Sequence, residues 1–109
     1  MVDADRYAYR VHWSGDDAAF IATAAEFPSL SWVEDTPTAA LAGMVRLAHE
    51  VVSEMEDSGE TPPEPVATRD YSGRFVVRIP PETHRDLAID AAEQGVSLNA
   101  LALSRLVAA

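Results

Sequence analysis

The sequence predicts an α+β protein of two units: an antiparallel sheet backed by one helix, then a strand followed by two helices. Three observations point there. Residues 7–13 alternate in polarity with the period of a half-buried strand, and residues 41–55 repeat apolar side chains at helical spacing. Between the end of that helix and the next alternating stretch lies Glu60-Thr61-Pro62-Pro63-Glu64-Pro65, whose prolines predict a stiff, extended connector. The expected limits are 1–60 for the first unit, 61–72 for the connector and 73–109 for the second unit.

In the first unit, Tyr7, Tyr9, Val11 and Trp13 fall on one face of an extended chain, with His12 on the other. Ser14-Gly15-Asp16-Asp17 is turn chemistry, so Ala18 to Phe27 is expected as the return strand of a hairpin. Pro28-Ser29 breaks it, and Leu30 to Glu34 gives a short third strand. Thr36-Pro37 then opens a helix with a hydroxyl N-cap and a proline at the first helical position. Leu41, Met44, Val45, Ala48, Val52 and Met55 form its apolar stripe, widened by Leu47 and Val51, and Ser58-Gly59 ends it.

The second unit starts with Gly73-Arg74-Phe75-Val76-Val77-Arg78-Ile79, stopped by Pro80-Pro81. Phe75, Val77 and Ile79 share one side of the expected strand; Arg74, Val76 and Arg78 share the other. Pro81-Glu82 opens a helix to about Gln94, with Leu87, Ala88, Ala91 and Ala92 inward and Gly95 as its C-cap. Ser97 caps a last helix running from Leu98, striped by Leu101, Ala102 and Leu106.

At 48% apolar residues the chain of 109 can build a core. No apolar run nears the ~18 residues needed to span a bilayer, and no export signal is seen, so a soluble cytoplasmic protein is expected. With no cysteine, disulfides and thiolate metal sites are excluded. His12, His49 and His84 stand apart with no second ligand at helix or hairpin spacing, so no metal and no cofactor is expected. The net charge of −10 is unevenly held: residues 1–66 carry 13 carboxylates and 3 arginines, whereas residues 67–109 carry five of each. Every cation is an arginine. An acidic first unit attracts basic partners.

A unit of one strand and two short helices is too small to bury enough surface alone, and its strand has open edges. A second copy supplies the remedy: two strands pair antiparallel about a two-fold axis, and four helices pack behind them on Phe75, Val77, Ile79, Leu87, Leu101 and Leu106. A two-stranded ribbon fits the major groove of DNA. Its outward face presents Arg74, Val76 and Arg78 twice, arginine to pair with guanine and valine to touch a thymine methyl. The amides of Ser97, Leu98 and Asn99, at a helix start, suit a phosphate.

The stretch "GRFVVRIPPETHRDLAIDAAEQGVSLNALALSRLVAA" resembles the ribbon-helix-helix repressors, through R-I-P after an alternating strand and G-V-S-L-N at the second helix. That resemblance implies that Arg74, Val76 and Arg78 enter the groove while Ser97 and its neighbours hold the backbone. The first unit, over about residues 7–66, resembles the HicB family of antitoxins: Tyr9 to Trp13, the strand ending in E-F-P, the D-T-P of Asp35 to Pro37 with Ala40-Leu41, and the closing P-P-E-P. This implies a partial RNase H-like fold joined to a DNA-binding tail. It also implies a partner, a small basic RNA-cutting toxin that the chain occludes without making or breaking a bond. Candidate toxin contacts are Asp16, Asp17, Glu26 and Glu34, with Trp32 as apolar anchor.

An RNase H-like core raises the question of two-metal hydrolysis, which needs several converging carboxylates. Residues 7–13 offer none, and Glu50 and Glu54, four apart on the helix, make a solvated face. The expectation is therefore a non-enzymatic antitoxin and autorepressor, acting as a homodimer or a tetramer of paired dimers, with operator DNA and a toxin as partners. The alternative is a stand-alone repressor whose first unit serves assembly or binds another protein.

Overall fold

A computed structural model describes residues 1–108, which form two units, Met1–Tyr71 and a second beginning at Ser72. In the first, strands β1 (Tyr9–Ser14), β2 (Ala19–Ala24) and β3 (Ser31–Glu34) make an antiparallel meander in the order β1-β2-β3. Helix α1 (Pro37–Asp57) covers one face. The second unit holds α2 (Pro81–Gln94) and α3 (Leu98–Val107). The α+β class and the order of these elements agree with the sequence.

The register explains the core. Val11 faces Ala22, which faces Trp32, so these three form one row across the sheet on the helix side. Ala22 and Ala24 of β2 pack on Ala40 and Met44 of α1, joined at the edges by Tyr9, Val11, Phe20, Leu30, Trp32 and Leu47. Alanines on both layers let the helix lie close to the sheet, and Gly43 extends this contact. A methyl at Gly43 would overlap the Trp32 indole at Nε1 and Cδ1. The indole N–H donates to Glu34 Oε1 at 3.0 Å, and the Arg46 guanidinium lies over the ring at 5.2 Å. Trp32 is thus wedged between β3 and α1.

A second cluster seals the other end of the helix. Ala4, Tyr7, Ala48 and Val52 are buried together, with Val2, Tyr9 and Phe27 beside them. Tyr7 belongs to no strand: a 3-10 turn at Ala4–Arg6 precedes it, and its ring meets Phe27 edge-on at 5.5 Å. The strand expected from Tyr7 therefore begins at Tyr9. The return strand, expected to reach Phe27, stops at Ala24, because the chain turns there with Phe27 N–H bonded to the Ala24 carbonyl.

The Pro-rich segment is packed against the first unit. Pro62 and Pro65 are buried, the Tyr7 hydroxyl donates to the Pro63 carbonyl at 2.8 Å, and a 3-10 turn follows at Val66–Thr68. Glu26 binds two separated stretches at once. Its carboxylate accepts from the Ala8 amide at 3.0 Å and from the Val66 amide at 2.8 Å. Burial, then Asp5 and other nearby acids, pushes the Tyr9 phenol up to about 12, and burial likewise raises that of Tyr7. Both phenols keep their protons at ordinary pH and go on donating, Tyr9 to the Ala4 carbonyl at 2.7 Å.

Gly43→Ala should destabilise the chain by about 1–3 kcal/mol, the usual cost of overpacking. Gly15→Ala, where an added methyl meets nothing within 4 Å, should stay within about 0.5 kcal/mol of the parent. Urea unfolding followed by tryptophan fluorescence checks the pair, and equal midpoints would contradict the Trp32 wedge.

Candidate functional site

The second unit is assembled from strong local signals. Pro81 opens α2 and Gly95 closes it at φ 70°, a left-handed conformation. The Gly95 and Val96 amides reach back to the carbonyls of Ala92 and Ala91 at 3.2 and 3.0 Å, which satisfies the helix end. Ser97 caps α3 by accepting from the Ala100 amide at 3.0 Å. Ala91 and Leu101 are the buried residues of the two helices, and Arg105 reaches Asp90 at 2.9 Å across them.

Residues 73–79 form no strand in the single chain. A strand exists only through a ladder, and no other segment of this unit is extended to supply one. The peptide groups of Phe75 to Ile79 accordingly make no hydrogen bond among the described residues; the nearest contact is the Arg74 amide donating to Ser72 Oγ at 3.1 Å. The expected core residues Phe75, Val77, Ile79 and Leu106 are exposed, Phe75 to 74%, and Leu87 is half-buried; Leu101 alone of the six is buried.

These exposed groups are not scattered. Phe75, Val77, Ile79, Leu87, Leu98 and Leu106 line one apolar groove of about 820 Å³ between residues 73–79 and α3. Contiguous exposed apolar surface of this kind marks an interaction site. Arg74 and Val76 also border the groove, so the two-faced alternation of the stretch is not realised without a paired strand, while Arg78 stays outside it. Neither Arg74 nor Arg78 is ion-paired among the described residues, whereas Arg85 and Arg105 are. At the start of α3 the Ser97 hydroxyl is occupied by its cap, and the Leu98 and Asn99 amides donate to nothing among the described residues.

The acidic candidates of the first unit are dispersed by the fold. Asp16 and Asp17 are exposed in the β1–β2 turn, where Asp17 accepts from the Ser14 hydroxyl at 2.9 Å. Glu26 is an internal clamp. Trp32 and Glu34 are half-buried and bonded to each other, so the aromatic anchor expected at Trp32 is committed to the helix–sheet contact. Trp13, by contrast, is 56% accessible and edge-on to Phe20 at 5.1 Å, and Tyr71 is the other exposed aromatic of this unit among the described residues. The alternation of β1 placed Trp13 on the same face as Tyr9 and Val11 but could not show that α1 leaves it uncovered. Among the described residues no three His, Asp or Glu side chains gather as metal ligands, and no helix is long and apolar enough to cross a membrane.

The model of the HicB family matches residues 57–106, from the end of α1 through the Pro-rich segment and the second unit. This supports membership of that family. The match covers the stretch that resembles ribbon-helix-helix repressors and includes none of residues 7–56, where most of the expected resemblance to that family lies. No curated protein and no solved structure matches the chain.

Removing the Glu26 clamp should free the Pro-rich segment without unfolding the sheet. In Glu26→Ala, hydrogen exchange at the Val66 amide should rise roughly tenfold to a hundredfold, the loss of a charge-assisted hydrogen bond. Unchanged protection would mean that the buried prolines hold the segment by themselves.

Proposed function

We propose that the chain is an antitoxin of the HicB type: its second unit dimerises as a ribbon-helix-helix domain on operator DNA, and its acidic first unit holds a small basic ribonuclease. The observation that supports this reading is that the family match covers a unit in which residues 73–79 pair with no strand and an apolar groove stands exposed. A second copy placed about a two-fold axis pairs residues 73–79 with their own image, closes the groove over Phe75, Val77 and Ile79, and turns Arg74, Val76 and Arg78 outward. The ribbon then meets the major groove, and the free amides of Leu98 and Asn99, beside Ser97, are placed for phosphate contacts on either side.

The first unit, carrying all of the net charge, is steered electrostatically to a cationic surface and competes there with RNA. It acts by occlusion, as a binding partner and not as a catalyst. The reading is tested by co-purification with the product of a neighbouring small basic reading frame, followed by a gel shift on the chain's own upstream DNA. A chain that shifts the DNA but captures no ribonuclease would be a stand-alone repressor.

Arg78→Ala should cost about 1–3 kcal/mol of operator affinity per half-site with the dimer intact. An unaltered gel shift would remove Arg78 from the groove. Phe75→Asp should dissociate the dimer on sedimentation, because a charge would sit in the shared core; a variant that stays dimeric would refute the pairing of 73–79.

A further inference from the structure

At the end of the sheet nearest the β1–β2 turn, the register aligns Trp13, Phe20 and Glu34 in one row across all three strands. This row lies on the helix side, yet Trp13 remains 56% exposed. Trp13 and Phe20 meet edge-on, with ring centroids 5.1 Å apart and planes at 68°. A rigid aromatic platform is therefore presented to solvent at an edge strand. Just beyond it the turn carries Asp16 and Asp17, and the far end of the row is Glu34, followed in the chain by Asp35.

These carboxylates differ from the others of the unit's N-terminal segment. Asp3 is paired with Arg6 and Asp5 with His49 at 2.7 Å. Among the described residues no cation pairs with Asp16, Asp17, Glu34 or Asp35. Two residues along the sheet, Arg46 stacks on Trp32 at 5.2 Å while Glu34 accepts that indole's N–H at 3.0 Å. The fold thus already contains, in closed form, a guanidinium on an indole beside a carboxylate. Trp13 carries no stacked guanidinium among the described residues, and it is followed in the β1–β2 turn by Asp16 and by Asp17, which accepts from the Ser14 hydroxyl and pairs with no cation.

We propose that Trp13 is the anchor of a docking surface for an arginine-rich protein, with an incoming guanidinium stacked on its indole and held by Asp16 and Asp17. Cation–π attraction and paired charge add where both are available, and tryptophan and arginine are the side chains on which interface energy concentrates. The proposal rests on the antitoxin reading for the identity of its partner. It replaces Trp32 by Trp13 as the aromatic contact.

The two indole N–H signals of the full chain, Trp13 and Trp32, are separately observable by NMR. On titration with a synthetic arginine–glycine peptide, the Trp13 signal should move more than that of Trp32. Asp16→Asn with Asp17→Asn should weaken peptide binding roughly tenfold, as loss of two favourable charge contacts implies. Glu50→Gln with Glu54→Gln removes equal charge from the outer face of α1 and should change it little. A silent Trp13, or equal weakening by both pairs, would overturn the proposal and leave only the general field of an acidic protein. If Trp13 responds and no ribonuclease co-purifies, the surface stands and the antitoxin reading falls. If the ribonuclease is captured equally well by Trp13→Ala, the surface falls and the antitoxin reading stands.

Discussion

The peptide groups of residues 75–79 are exposed without protein partners among the described residues, and the second unit has nothing extended to offer them. Two helices satisfy their own backbones and cannot lend hydrogen bonds to a neighbouring extended segment. Burying Phe75, Val77 and Ile79 against α3 would also bury those unpaired amides and carbonyls, at a cost comparable to the apolar gain. The apolar groove and the open ladder are two aspects of one deficit. A single antiparallel strand from outside would correct both, and in the proposed dimer a second copy supplies it.

The first unit solves a different problem. Apart from Met44, the buried residues of its helix–sheet interface are alanines and a glycine, which bring the layers close but leave little side-chain volume. Trp32 fills that space, held by Gly43, Arg46 and Glu34, and the Tyr7–Phe27 cluster does the same at the far end. Glu26 and Tyr7 then bind the Pro-rich segment, so the stiffness of that segment comes as much from being fastened as from its prolines. The acidity is left on the turn, the outer face of α1 and the stretch around Glu60, where solvent or a cationic partner can reach it.

Most of the elements were legible because their signals are local. Thr36, Gly95 and Ser97 set helix boundaries through hydrogen bonds within a few residues, Pro37 and Pro81 through a fixed φ and a missing N–H, and those boundaries stand. The strand ends were less legible, since Tyr7 and Phe27 have strand-like character but pack against each other and α1. The roles of Glu26 and Trp32 were hidden for the same reason. Nothing in their neighbours along the chain indicates that Val66 will lie beside one and Gly43 beneath the other.

By itself, the sequence determined the order of the helices and of the first three strands, the helix caps and the uneven charge, because each depends on composition or on contacts close along the chain. Only the tertiary structure decided which acids are free and which are structural, that Trp13 is exposed while Trp32 is half-buried, and that the Pro-rich segment is fastened. Those outcomes depend on which distant backbones approach, and that is set by packing α1 over the sheet, where Gly43 admits the Trp32 indole.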